Sequence, residues 1–183
     1  MTTAKLLLTA EDLLKLPDDG RFYELLDGEL VEMSPPGGAH GKVTLMVGYH
    51  LLAHVKANEL GEVLAGDPGI ILRRNPDRVR APDVCFIARE RLPAGGIPAG
   101  YLEVVPDFIV EVVSPGDRAA EVQEKAEEWL RAGARLVWVL YPKTRSILAY
   151  QGLASARVYA DADTITGAPV LPDFSIGVAE LFS

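Results

Sequence analysis

The chain has 183 residues, of which 49% are hydrophobic and 24% are charged, as is typical of a soluble α/β or α+β domain with a full core. It contains no apolar run of 18 residues and no secretory leader, which argues against a membrane protein and predicts a cytoplasmic one. A net charge of -8 argues against broad electrostatic attraction to nucleic acid or membranes, and the single Cys85 excludes an intrachain disulfide and a cysteine-based zinc site.

The N-terminal part of the chain predicts a short helix followed by a β-hairpin. The helix is expected near residues 10–16, with Thr9 as its N-cap. Two alternating strands, at 22–26 and 29–33, flank the dipeptide Asp27-Gly28, which favours a type I′ turn.

The middle of the chain predicts a long helix and three strands. The helix is expected from about residue 40 to 57, because apolar residues recur with helical spacing at Val43, Val47, Leu51 and Val55. The strands are expected at residues 62–74, 79–88 and 107–113.

The C-terminal part predicts one more helix, over residues 118–132 and ended by Gly133. Further strands are expected at 135–140, 145–150 and about 156–160. The elements predict one α/β domain over residues 1–183, with a mixed central sheet flanked by helices and an added N-terminal β-hairpin.

One charged residue interrupts the apolar strand at 107–113, namely Glu111 in the run Ile109-Val110-Glu111-Val112-Val113. An unpaired ion is costly to bury, so such a carboxylate is normally paired, metal-bound or neutralised. Asp83 lies 28 residues earlier and opens directly into a second apolar strand, VCFIA. Two carboxylates on neighbouring central strands are oxygen ligands of the kind that Mg²⁺ requires.

Glu111 also needs a positive group, and the position two residues later on the same strand face holds Val113. Lys125, on the following helix, falls at the rim of the apolar stripe and is able to reach along the buried face towards the sheet. The alternative is an exposed lysine that pairs with Glu121 one helical turn away. Geometry alone leaves both open.

Residues 73–91 form a locally basic segment in this acidic chain. Its six arginines stand against Asp77, Asp83 and Glu90, which gives a net charge of +3. These arginines either lie on the solvent sides of strands or face phosphate groups. The candidates for nucleic-acid contact are Arg73, Arg74, Arg78 and Arg80.

Ser114 is a further candidate, because it follows the Glu111 strand directly. It has no evident histidine partner for nucleophilic catalysis, and the run SPGD favours a helix-start capping box with proline at its first position. Ser114 is therefore expected to begin the helix and to support the site indirectly.

Several segments resemble the Uma family of restriction-type endonucleases, which belongs to the PD-(D/E)xK nuclease superfamily. The strongest are APDV at 81–84, PDFIVEVVSPGD at 106–117 and KAEEWLRAGARLVWVLYP at 125–142. The similarity extends to FYELLDGELVEMSP at 22–35, to His40 and to the closing LPDFSIGVAELF, and so covers essentially the whole chain. It implies a restriction endonuclease-like fold.

The resemblance also implies roles for individual residues. Asp83 matches the PD aspartate and Glu111 the (D/E) position, and both would ligate Mg²⁺ or Mn²⁺. The sequence departs from the superfamily pattern at Val113, and Lys125 would take the place of the missing lysine. Glu24 matches an acidic position that would add a third metal ligand, and His40 matches a histidine of undefined role.

The expected function is metal-dependent hydrolysis of phosphodiester bonds in DNA, with a homodimer as one way for an acidic chain to bind its substrate. The alternative is a catalytically inactive nuclease-fold protein that acts as a binding or regulatory module. In the metal-free protein one carboxylate is expected to have a raised pKa, because two like charges would share a partly buried site.

Overall fold

A six-stranded mixed sheet forms the centre of the computed structural model, which describes residues 6–183. In spatial order its strands are β10 (Ala156–Tyr159), β9 (Ser146–Tyr150), β8 (Leu136–Tyr141), β7 (Phe108–Val112), β6 (Val84–Ala88) and β3 (Gly61–Ala65). Strands β7 and β8 are parallel, and the other neighbours are antiparallel. The predicted mixed sheet is therefore confirmed.

Two helices cover the two faces of this sheet. Helix α2 (Gly38–Ala57) packs one face with the predicted stripe of Val43, Val47, Leu51 and Val55, all of which are buried. Helix α3 (Ala119–Ala132) connects the parallel strands β7 and β8, and it packs the opposite face with Ala126 and Trp129. None of the helices in residues 6–183 is long and apolar enough to span a membrane.

A second sheet of four strands carries the N-terminal hairpin. Its order is β2 (Glu29–Met33), β1 (Phe22–Leu26), β5 (Arg78–Arg80) and β4 (Ile70–Arg73). The hairpin turn at Asp27-Gly28 has positive φ at both residues, 55° and 80°, as a type I′ turn requires. The short helix α1 (Ala10–Leu14) packs on this sheet.

The C-terminal part adds two short strands and a last helix. Strands β11 (Thr164–Thr166) and β12 (Ser175–Gly177) pair with each other, and α4 (Val178–Leu181) follows them. Their apolar residues, including Ile165, Ile176 and Leu181, belong to the same core as α2.

The predicted strands at 62–74 and 79–88 are each divided between the two sheets, so their predicted continuity is wrong. The first one ends after β3 because Gly66 and Asp67 adopt positive φ and turn the chain into β4. The second one breaks at Pro82, which has no N–H to donate to a sheet. The chain thus leaves the central sheet at 66–69 and returns to it at 81–83, directly before β6.

Candidate active site

Asp83 and Glu111 lie side by side at the seam between the two sheets. Val84 of β6 pairs with Val110 of β7, and the same antiparallel register sets Asp83 opposite Glu111. The Val112 N–H donates to Asp83 Oδ2 at 2.6 Å. The predicted pair of carboxylates on neighbouring strands is therefore present, and Glu111 is buried.

Lys125 reaches this pair from helix α3. Its Nζ lies 2.9 Å from Glu111 Oε2 and donates to the carbonyl oxygen of Ala81 at 3.0 Å. Glu121, the alternative partner, instead lies 3.5 Å from Arg118. Burial opposes the charge on Lys125, but attraction to Glu111 and Glu24 outweighs it and raises the pKa of the ammonium above its ordinary value.

Glu111 has an unusually high pKa, raised from 4.5 to about 7. Burial of the carboxylate is the largest cause, Lys125 acts in the opposite direction, and the like charge of Asp83 adds a smaller increase. The predicted rise in the pKa of one carboxylate is confirmed. Its predicted cause, repulsion between two carboxylates, is secondary to the loss of water around Glu111.

Glu24 belongs to strand β1 and is a second carboxylate beside Lys125. Its Oε1 lies 3.4 Å from the Lys125 Nζ and accepts the N–H of Ala81 at 3.0 Å. Arg80 donates to its other oxygen, Oε2, at 2.6 Å. Burial tends to raise the pKa of Glu24, but Lys125 and Arg80 outweigh it and keep that pKa low. Glu24 is thus an ionised partner of the lysine, and metal ligation by Glu24 stays a prediction.

The contacts of Glu24 are part of a closed ring of alternating charges. Arg80 bridges from Glu24 to Glu128, which accepts its Nε at 2.8 Å. Glu128 lies on α3, three residues after Lys125. The chain of ion pairs Lys125–Glu24–Arg80–Glu128 therefore begins and ends on α3, and the helix itself closes the ring. This ring fastens the N-terminal sheet to α3 beside Glu111.

The other arginine candidates are also engaged with carboxylates. Arg73 and Arg78 share Asp27, and Arg78 further pairs with Glu128. Arg74 pairs with Glu11, Asp77 and Glu103. All four arginines therefore have carboxylate partners within the chain. Contact of Arg73, Arg74, Arg78 and Arg80 with nucleic acid stays a prediction.

His40 lies in the first turn of α2 and contacts Asp83 directly. Its Nε2 is 3.0 Å from Asp83 Oδ1, and its Nδ1 is 3.4 Å from the Thr44 hydroxyl. The hydrogen bond to Asp83 raises the pKa of His40, although burial acts against the charged imidazolium. His40 therefore orients Asp83 in the metal-free site.

Ser114 does not cap helix α3, so its predicted place at the helix start is wrong. The helix begins at Ala119, with Arg118 as N-cap and no side-chain cap. The Ser114 N–H instead donates to Asp117 Oδ2 at 2.7 Å, which closes a turn before the helix. A role for Ser114 in the site stays a prediction.

Two contributors to the site were not predicted from the sequence. Asp67, in the turn between β3 and β4, has its pKa raised mainly by burial and then by Asp83, so it shares the electrostatic field of the site. Trp129 of α3 donates its indole N–H to Glu111 Oε1 at 2.7 Å. Asp67 carried only a turn signal, GDPG, and Trp129 was indistinguishable from an apolar core position.

The donor set suits a hard divalent cation with few protein ligands. Within residues 6–183, no three His, Cys, Asp or Glu side chains are placed to hold an ion together. Mg²⁺ is commonly bound through one or two carboxylates and keeps several waters. Asp83 and Glu111 could supply those two, since a carboxylate oxygen that accepts one hydrogen bond retains a further lone pair.

Comparison with known proteins assigns the family. A model of the Uma2 family, described as putative restriction endonuclease, matches residues 10–179. The chain belongs to the Uma2 family. A putative nuclease of the DUF820 group from Anabaena variabilis has the same fold, with a TM-score of 0.83 and 18% identity over 96% of this chain and 97% of that chain. No curated protein matches the Uma2 chain.

Proposed function

We propose that this Uma2 protein is an endonuclease that hydrolyses phosphodiester bonds in DNA with Mg²⁺ or Mn²⁺. One observation carries the proposal, the convergence of Asp83, Glu111 and Lys125 on one point of the seam between the sheets. Asp83 faces Glu111 across β6 and β7, and the Lys125 ammonium lies 2.9 Å from Glu111. Oxygen ligands beside a fixed cation are the parts that metal-assisted phosphodiester hydrolysis needs.

Asp83 and Glu111 would hold the ion, which supplies polarisation of a phosphoryl oxygen and a lowered pKa of bound water. Lys125 would orient the attacking water and stabilise the negative charge that develops on the phosphate. Glu111 and then Glu24 raise the pKa of Lys125 and so keep it protonated, and Glu24 also holds it in place from β1. His40, in the first turn of α2, orients the Asp83 carboxylate.

DNA binding by a chain of net charge -8 needs local cations, since Lys and Arg contacts to phosphate dominate such affinity. Lys42 lies two residues after His40 and is exposed, and Arg118 is 82% exposed just before α3. A homodimer would double these cations and present two sites to the two strands of a duplex. We include the homodimer in the proposal for this reason.

A catalytically inactive binding or regulatory protein is the second candidate, and one observation favours it. The carboxylate oxygens of Asp83, Glu111 and Glu24 all accept from protein donors already, so the ion network is complete without a metal. Such a network is able to serve a purely structural purpose.

Cleavage of supercoiled plasmid by purified protein tests the proposal. We expect nicking with Mg²⁺ or Mn²⁺ that disappears with EDTA and in the Asp83→Ala, Glu111→Ala and Lys125→Ala variants. Glu124→Ala, on the exposed side of α3, and Lys143→Ala, on an exposed turn, are matched controls that should cleave normally. Absence of both metal binding by calorimetry and mutation-sensitive cleavage would favour the inactive alternative.

A further inference from the structure

Helix α3 contacts both oxygens of the Glu111 carboxylate. Lys125 lies 2.9 Å from Oε2, and Trp129, one turn further along the helix, donates its indole N–H to Oε1 at 2.7 Å. The two side chains lie on the same helix face because they are four residues apart. Trp129 and Glu111 are both buried, so water has little access to the hydrogen bond between them.

The second tryptophan of the chain provides an internal comparison. Trp138 in β8 is as fully buried as Trp129, and it packs edge-to-face on Phe108 with ring centroids 4.8 Å apart. Its indole N–H is the one buried side-chain polar atom of residues 6–183 that has no hydrogen-bond partner. The core thus tolerates an unpaired indole N–H, so burial alone does not explain why the indole of Trp129 is paired with Glu111.

We propose that Trp129 is a positioning residue that fixes the orientation of the Glu111 carboxylate for metal binding. The inference rests on the proposed function, because it assigns Glu111 as a metal ligand. A carboxylate rotates easily about its last torsion, since that torsion has a broad energy profile. Two donors that bind different oxygens fix the plane of the carboxylate. Lys125 alone would hold only one oxygen, and its side chain is flexible.

The uncharged indole has a further advantage as the second donor. Another ammonium or guanidinium on Oε1 would neutralise the charge that attracts the cation, whereas an indole N–H donates and leaves the net charge of the carboxylate unchanged. Hydrogen bonds that orient metal ligands commonly change metal affinity by about 10- to 100-fold when they are removed. We expect an effect of that size for Trp129.

The first test uses the wild-type protein with ¹⁵N-labelled tryptophan, which gives one indole signal for Trp129 and one for Trp138. Titration with Mg²⁺ should shift the Trp129 signal and leave that of Trp138 in place. In the metal-free protein, Glu111→Gln should move the Trp129 signal alone, because it replaces the charged acceptor. A Trp129 signal that ignores both changes overturns the inference.

The second test compares Trp129→Phe with Trp138→Phe, a matched pair that removes a buried indole in each case. Calorimetry should show Mg²⁺ affinity reduced about 10- to 100-fold in Trp129→Phe and unchanged in Trp138→Phe. Equal affinities in the two variants would overturn the inference. If either variant fails to fold, the wild-type signals still decide.

The two proposals fail in distinguishable ways. Wild-type protein that binds neither Mg²⁺ nor Mn²⁺ refutes the metal-dependent nuclease and, with it, the role of Trp129. Wild-type protein that binds Mg²⁺ through Asp83 and Glu111, while the Trp129 signal stays fixed, refutes the positioning role alone.

Discussion

The Lys125 ammonium lies 2.9 Å from Glu111 Oε2, although the two residues are 14 positions apart and stand on a helix and a strand. Val113, two residues after Glu111, carries no charge, so the cation beside the carboxylate comes from α3. The Val113 N–H donates to the Leu140 carbonyl oxygen, so this position continues the pairing with β8, as any non-proline residue there could. A lysine from α3 reaches the carboxylate while the strand end keeps its backbone partner.

Lys125→Met should abolish most cleavage and also destabilise the fold. It removes the charge that offsets two buried carboxylates, Glu111 and Glu24, and breaking a buried pair costs about 3–5 kcal/mol. Loss of one charge-stabilising donor reduces kcat by about 10²- to 10³-fold. Urea denaturation and plasmid cleavage measure the two effects. Lys143→Met is the control, and equal stability of the two variants would contradict the buried pair.

Arg80→Met should lower stability more than Arg73→Met. Arg80 is 13% exposed and holds Glu24 and Glu128, whereas Arg73 is 51% exposed and pairs with Asp27. Exposed pairs contribute about 0–1 kcal/mol, and breaking buried ones costs several times more. Thermal or urea unfolding measures the difference.

Arg73→Met and a further variant, Arg74→Met, test the phosphate-contact hypothesis for the basic segment. A residue that contacts one phosphate reduces the slope of log affinity against log salt by about 1 when it is removed. DNA affinity of Arg73→Met and Arg74→Met at several salt concentrations should show an unchanged slope if the arginines serve only their carboxylate partners. A reduced slope would restore their predicted role.

Metal affinity should rise with pH up to about 7. Glu111 must lose its proton to bind a cation, and its pKa is raised to about 7, so the affinity gains about tenfold per pH unit below that value. Calorimetry between pH 5.5 and 8 measures the trend. His40→Asn separates the contribution of His40, whose pKa is also raised. A flat profile in this variant would contradict the high pKa of Glu111.

The contribution of Glu111 to folding stability should fall with pH over the range in which the metal affinity rises. The Glu111 carboxyl binds its proton more tightly in the folded protein than at its ordinary pKa of 4.5. The contribution of Glu111 is therefore favourable at low pH and is lost as the pH rises from about 4.5 to about 7. Comparison of wild type with Glu111→Gln by urea unfolding isolates it, because the amide has no proton to lose.

Asp67→Asn should weaken Mg²⁺ binding several-fold without a loss of stability. Burial and then Asp83 raise the pKa of Asp67, and Lys125 and His40 act in the opposite direction, so its carboxylate adds negative charge to the site. Among residues 6–183 it has no ion pair that its removal would break. Calorimetry measures the affinity. Glu90→Gln, which removes one exposed charge after β6, should have no effect, and equal behaviour of the two variants would exclude Asp67 from the site.

The sequence predicted those parts of the site that depend on local pattern. Glu111 stood out because it interrupts an apolar strand, Asp83 because it opens one, and Lys125 because helical periodicity set it at the rim of the buried face. The ion pairs of Arg80 with Glu24 and Glu128 were not predicted, because these residues meet only through tertiary packing, and contact of Arg80 with phosphate stays a prediction.

The seam between the sheets was missed for a related reason. Apolar residues continue from β3 into β4 and from β5 into β6, so periodicity joined elements that belong to different sheets. Only the turn at Gly66-Asp67 and the proline at 82 marked the crossings. The role of Trp129 was hidden because hydropathy describes the indole ring and not its single N–H.

The ring that links Lys125 to Glu24 and Arg80 makes the proposed site complete only in the fully folded chain. Glu24 and Arg80 lie on the N-terminal sheet, whereas Glu111 and Lys125 belong to the central layer and its helix. A chain whose N-terminal sheet has not yet docked keeps Glu111 beside Lys125 but lacks Glu24, the second carboxylate that holds the lysine. Under the proposed function, such an incomplete molecule would be a weaker nuclease than the fully folded one.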